Sequence, residues 1–126
     1  MRRSKQVRSV GIDYDDMTQL YGELASSDGF LFASPVYYGS VTGIMKVFMD
    51  RFIPFHDDAE SKSELRGALR FKPAGAIAVR GGRNDGMESV LDTFHRFFLY
   101  NDMVIVGTAG CHSAPSFPSR RNHLFR

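Results

Sequence analysis

Three short apolar runs, none with polar alternation and all bounded by loop-forming residues, divide the chain between residues 29 and 107. They are Phe30-Leu31-Phe32-Ala33, the small-residue stretch 73–79, and Met103-Val104-Ile105-Val106. A run of this length without in–out alternation reads as a strand covered on both faces. Segments of helical period separate the runs. In the first, Ile44, Met45, Phe48, Met49 and Phe52 recur on one side, with Lys46, Asp50 and Arg51 on the other. In the second, Met87, Val90, Leu91, Phe94, Phe97 and Phe98 form the stripe. Strand, helix, strand, helix, strand implies right-handed crossovers joining parallel strands, with helices against the sheet. The expected fold class is α/β, a three-layer sandwich around a parallel sheet.

The element ends carry their own signals. Asp16 with Gln19 three positions on, followed by Leu20, Tyr21 and Leu24, predicts a capped surface helix over 16–25. Asp85 and Glu88 have the same spacing at the start of the helix that ends near Asn101, and Pro35 closes the first strand. Between 54 and 72 charged residues outnumber large apolar ones, which predicts a solvated crossover with room for a short helix.

At 126 residues, 43% hydrophobic and 24% charged, the chain has the size and makeup of one globular domain. No repeat or linker divides it, so 1–126 is read as a single unit, with 1–12 and 111–126 as tails. The one cysteine, Cys111, excludes an internal disulfide and a zinc site built on two thiolates of one chain, and it fits a reducing compartment. No stretch reaches the roughly 18 apolar residues of a membrane span. The basic start MRRSKQVRSV gives way to Gly11, Asp13, Asp15 and Asp16 where a signal peptide would turn apolar. A cytoplasmic protein with no membrane partner is expected. The net charge of +2 hides a division, because Arg2, Arg3, Lys5, Arg8, Arg120, Arg121 and Arg126 hold seven of the 16 bases at the two ends. That leaves nine bases against 14 acids in between. Basic ends of this kind are more often solvated tails than nucleic-acid contacts, so nucleic acid is not an expected partner.

Ligands of an open parallel sheet bind beyond the carboxyl ends of its strands. The loops there read Ser34-Pro35-Val36-Tyr37-Tyr38-Gly39-Ser40 and Arg80-Gly81-Gly82-Arg83-Asn84-Asp85-Gly86. Tyr37 and Tyr38 offer flat aromatic surfaces, and Gly39 lets a backbone approach a planar ligand. Gly81 and Gly82 can turn main-chain N–H groups toward an acceptor, with Arg83 beside a developing anion. A plainer reading stands next to each: tyrosines covering the sheet end, glycines forming a tight turn, an arginine in solvent. Composition alone favours the plainer set. The second loop is neither a P-loop nor G-x-G-x-x-G. Cys111 beside His112 has no orienting carboxylate, and His56, His95 and His123 fall at loop or polar helix positions, so neither a catalytic side chain nor a metal site is read from them.

The order of residues adds more than their types. Asp28-Gly29, then 34–40, then Gly43, Lys46, Phe48, Asp50 and Arg51 resemble the central segment of the NADPH-dependent FMN reductase family, flavodoxin-like proteins that include the iron-sulfur flavoproteins. The loop from Gly81 to Gly86 and the run from Met103 to Gly107 resemble the family's next crossover, so the resemblance covers about residues 13–110. It implies an FMN site in which Pro35, Val36, Tyr37, Tyr38, Gly39 and Ser40 line the isoalloxazine ring while Gly81, Gly82 and Arg83 border it. It also implies NAD(P)H as reductant, a small-molecule or protein electron acceptor, and a homo-oligomer. The flavin carries the redox chemistry, so no side chain is expected to act as catalytic acid or base.

The family's first strand, phosphate loop, first helix and second strand have no counterpart ahead of the helix at Asp16. An N-terminally truncated member is therefore expected, with the strand at 30–33 as an exposed edge of a flavodoxin-like sheet. Residues 5–12 lack the cysteine cluster of the iron-sulfur branch, so no iron-sulfur cluster is expected. Pro115 and Pro118 interrupt the place of the last helix. The alternative expectation is a truncated, non-catalytic remnant or interaction module with weak or no FMN binding, whose edge pairs with another chain.

Overall fold

A computed structural model describes residues 16–56, 64–81 and 86–112. Along them run α1 (Asp16–Ser26), β1 (Phe30–Pro35), α2 (Gly43–Asp50), a 3-10 turn at Ile53–Phe55, β2 (Pro73–Arg80), α3 (Met87–Tyr100) and β3 (Val104–His112). The alternation read from the sequence is present, and the strands form one parallel sheet in the order β1-β2-β3. Phe30 lies opposite Ala74 and Pro35 opposite Val79, while Pro73 lies opposite Val104 and Arg80 opposite His112.

Both crossovers step the same way across the sheet, and right-handed connections then put α2 and α3 on the same face. The core follows from that. Phe32, at the middle of β1, has its ring centroid 5.3 to 6.2 Å from those of Phe48, Phe52, Phe94, Phe97 and Phe98. On β2, Ala74, Ala76 and Ala78 are fully buried beneath these rings, their methyl groups leaving space for aromatic side chains against the sheet. Helix α1 joins the same layer: the buried Tyr21 packs edge-on to Phe55 and its hydroxyl donates to the Arg51 carbonyl at 2.9 Å. Lys72 Nζ donates to the Ala25 carbonyl at 2.6 Å, tying the end of α1 to the start of β2.

Among the described residues the two faces of the sheet are covered unequally. Along β1, Phe32 and Ser34 are buried, whereas Leu31 between Phe30 and Phe32 is 69% exposed. A Cβ at Gly75 would lie 3.2 Å from Leu31 Cδ1, so Leu31 spreads over Gly75 on the side away from the helices. Val104 and Val106 are exposed too. Among the described residues the helices cover one face.

Four element readings also change. The crossover is not simply solvated, because Phe55, Leu65 and Leu69 are buried and close the core below β1 and β2. Strand β3 continues six residues past the hydrophobic run to Cys111 and His112; glycine, threonine and alanine carry weak strand signals, yet pairing with β2 holds them extended. Ile44, placed on the buried side of α2, is 85% exposed, and Phe52 falls beyond the helix end. The cap of α3 is Gly86, with no side-chain cap; Glu88 reaches back to it, and Asp85 lies outside the described residues. No helix among the described residues is long and apolar enough to cross a membrane.

Candidate functional site

The loop after β1 is built by a short chain of hydrogen bonds. Val36 N–H donates to the Val79 carbonyl at 2.8 Å, extending the β1–β2 ladder by one step. The chain then reverses: Tyr37 N–H donates to the Ser40 carbonyl at 3.0 Å and Ser40 N–H to the Tyr37 carbonyl at 3.1 Å. Between them Tyr38 has φ 51° and Gly39 φ 75°. Positive φ at both central positions is the type I′ turn, which suits Gly39 and strains Tyr38. The turn displays its aromatics and does not fold them back over the sheet, since Tyr37 is 63% exposed and Tyr38 fully so. Among the described residues neither ring is buried, which weighs against the plainer reading that they cover the sheet end.

The base of this loop is fixed by Ser34, to which the sequence assigned no role of its own, and by Thr42, which it did not single out. Ser34, 2% exposed, donates its hydroxyl to the Pro35 carbonyl at 2.9 Å and accepts from Thr42 N–H at 3.1 Å. Thr42 Oγ1 in turn accepts from Met45 N–H at 3.2 Å and caps α2. One buried hydroxyl thus joins the strand end to the helix start, and 35–41 loops out between them. Hydroxyl residues spaced across a Gly-containing loop just before an amphipathic segment were the available signal.

The second loop approaches the first. Gly81 is exposed at the end of β2; Gly82 and Arg83 lie outside the described residues. The chain re-enters at Gly86, where φ is 134° and a Cβ would stand 2.9 Å from Val36 Cγ1 and 3.0 Å from Gly39 Cα. Only a glycine lets the start of α3 lie against the turn so closely. The structure therefore brings Val36 and Gly39 against Gly86, a residue not named among the site candidates.

Among the described residues at this end, one carboxylate, that of Glu88, has a shifted ionisation. The Glu88 side chain accepts from Gly86 N–H at 3.3 Å. Main-chain N–H groups of Glu88 itself and of Gly86, with a further contribution from Arg80, hold its carboxyl below the usual carboxylate range against a small desolvation effect. Polar groups at both helix starts are consequently engaged, α2 by Thr42 and α3 by Glu88. The turn itself offers two phenol rings, an alcohol and exposed backbone. That set has the chemistry to meet a flat ligand edge or face; among the described residues it contains no acid–base pair.

Comparison with known proteins bears on the same residues. The profile of NADPH-dependent FMN reductase matches residues 3–114. An iron-sulfur flavoprotein of Methanocaldococcus jannaschii is 43% identical over 96 residues, which are 76% of this chain and 46% of the relative. An NAD(P)H dehydrogenase (quinone) of Geobacter sulfurreducens is 36% identical over 85 residues, 68% of this chain and 38% of its own length. Among solved structures, the Trp repressor binding protein of Bacillus subtilis superposes with a TM-score of 0.67 at 22% identity, over 79% of this chain and 60% of that one. The chain spans about half the length, or less, of these curated relatives.

Proposed function

The chain belongs to the NADPH-dependent FMN reductase family and has its α/β flavodoxin-like fold, and from that premise we propose that it is an FMN-binding oxidoreductase carrying electrons from NAD(P)H to a small-molecule acceptor. The observation that carries this reading is the I′ turn at Tyr37–Ser40, which holds two exposed aromatic rings at the carboxyl end of a parallel sheet. Pro35, Val36, Tyr37, Tyr38, Gly39 and Ser40 would line the isoalloxazine ring, with Gly81, Gly82 and Arg83 along its border. The quinone class is the favoured acceptor, supported by the naming of the Geobacter relative.

When bound, FMN supplies two-electron redox chemistry, taking electrons from the nicotinamide and releasing them to the acceptor. This chain's residues position it. Ser34 and Thr42 set the height of the loop, Tyr37 and Tyr38 present faces for stacking, and the close contact of Gly39 with Gly86 leaves main chain, not side chain, beside the ring. The ring half of FMN fits this cradle. At the two helix starts beside this loop, Thr42 accepts from Met45 N–H and Glu88 from Gly86 N–H, so part of each start is already engaged.

A fluorescence titration of the chain with FMN, and in parallel with riboflavin, tests the reading. Binding at tens of micromolar, worth roughly 6 kcal/mol, is expected for both ligands. Tyr37→Ala should weaken both by about tenfold, the scale of one lost aromatic contact. Absence of binding by either ligand would remove the flavin reading. A strong preference for FMN would show that the phosphate is held as well as the ring.

A further inference from the structure

We infer that Glu88 is a positioning residue for the Tyr37–Ser40 turn, acting through Gly86. The consequence for flavin rests on the reading proposed above; the contact itself does not. The ends of the loop are already fixed, one by Val36 N–H on the Val79 carbonyl and the other by Ser34 on Thr42 N–H. Between those ends the tip carries two hydrogen bonds of its own, from Tyr37 to Ser40 and back, which shape the turn without setting its tilt against the sheet.

Gly86 sets that tilt. A Cβ there would stand 2.9 Å from Val36 Cγ1 and 3.0 Å from Gly39 Cα, so the entry and the tip of the turn both rest against the start of α3. A glycine at φ 134° is prescribed little by its own sterics, and its place must come from its bonds. Two are present. The Gly86 carbonyl accepts from Val90 N–H at 3.2 Å, and its N–H donates to the Glu88 carboxylate at 3.3 Å. Val90 is fully buried, so the first bond belongs to the helix and its core; Glu88 is exposed, so the second is made by a side chain the core does not use.

Met87, between the two, is seated on β3, its sulfur 3.2 Å from where a Cβ at Gly110 would lie. The start of α3 is thus wedged between the end of β3 and the turn after β1, and the Glu88 bond fixes the one peptide of it that touches the turn. A carboxylate accepting a main-chain N–H makes a charge-assisted bond, stronger than one to a neutral oxygen. Arg80, at the end of β2, favours the same ionised form. Without the side chain, Gly86 N–H turns to water, its peptide rotates, and the turn loses its stop. For a stacked ring the resulting misplacement costs on the order of tenfold in affinity or less, the worth of one aromatic contact.

Amide resonances of the isotope-labelled chain test the placement. In Glu88→Ala the Tyr38 and Gly39 amides should shift, and the bonded Tyr37 and Ser40 amides should exchange with solvent about tenfold faster. Glu88→Gln, which keeps an acceptor oxygen, should restore most of both changes. Asp92→Ala removes an exposed ion pair one turn further along the same helix and should leave the turn unmoved. An unmoved turn in Glu88→Ala, no recovery in Glu88→Gln, or an equal change in Asp92→Ala overturns the proposal whether or not flavin binds. Titration of the same chains with riboflavin reads the consequence: the affinity of Glu88→Ala should fall about three- to tenfold, and Glu88→Gln should recover it. Equal affinity of the parent and Glu88→Ala also overturns the role. A parent that binds no flavin sinks the flavin reading, and the amide resonances then decide the placement by themselves.

Discussion

Tyr38 buries nothing, yet it sits at φ 51°. For a residue with a Cβ the left-handed region costs about 1–2 kcal/mol, and glycine avoids most of it. A strained, fully exposed ring contributes nothing to packing, so its place in the turn is accounted for by what it can touch. Tyr38→Gly is accordingly expected to stabilise the fold by about 1 kcal/mol while weakening flavin binding severalfold, and Tyr38→Phe should change neither. Thermal unfolding alongside the FMN titration checks this; a glycine variant that is less stable, or that binds flavin as well, refutes the role. At this scale the sequence was legible in residue type and silent in geometry. Tyr37, Tyr38 and Gly39 were readable as a ring platform. The I′ turn was not, because its first central position holds tyrosine where asparagine or glycine is usual. The roles of Ser34 and Gly86 were not legible, since a buried hydroxyl and a close glycine show their purpose only once β1, α2 and α3 are side by side.

At the level of elements, α3 shows which signals persist. Its stripe Val90, Phe94, Phe97 and Phe98 is buried as its spacing requires. Its start is not the capping box that spacing suggested, for Gly86 brings no side chain and the Glu88 carboxylate takes the N–H groups instead. This has a pH consequence with a definite sign. A carboxyl whose folded pKa lies below its ordinary value of 4.5 favours the folded state above that value and loses the contribution as pH falls through the lowered one. Glu88→Gln should therefore unfold at a lower temperature than the parent at pH 7, with the two curves converging below about pH 4, near the ordinary Glu pKa. Equal stability at pH 7, or a gap that widens in acid, would mean that the carboxylate does not cap the helix. β3 shows the opposite limit: Thr108, Ala109 and Gly110 have little strand character of their own, and only the partner strand holds them extended.

Over the whole molecule, the order of elements and the parallel sheet were legible because a strand–helix alternation admits few chiral solutions. The uneven cover of the two faces among the described residues was not. An apolar run looks the same whether one face is covered or two, and all three described helices fall on one side of the sheet. Two adjacent residues of β1 measure the difference. Phe32 faces the helices and meets rings from α2, α3 and the turn between Asp50 and Phe55; Leu31 faces away and is 69% exposed. Truncating a buried phenylalanine costs about 3–5 kcal/mol, which approaches the whole stability of a domain at the lower end of the roughly 5–15 kcal/mol range. Phe32→Ala should abolish cooperative unfolding at room temperature, whereas Leu31→Ala should shift stability by no more than about 0.5 kcal/mol, as for an ordinary surface site. Urea unfolding of both variants decides the matter. Comparable losses would show that the open face is packed in solution, and that the sheet is already sandwiched; a large loss at Phe32 alone leaves the face bare.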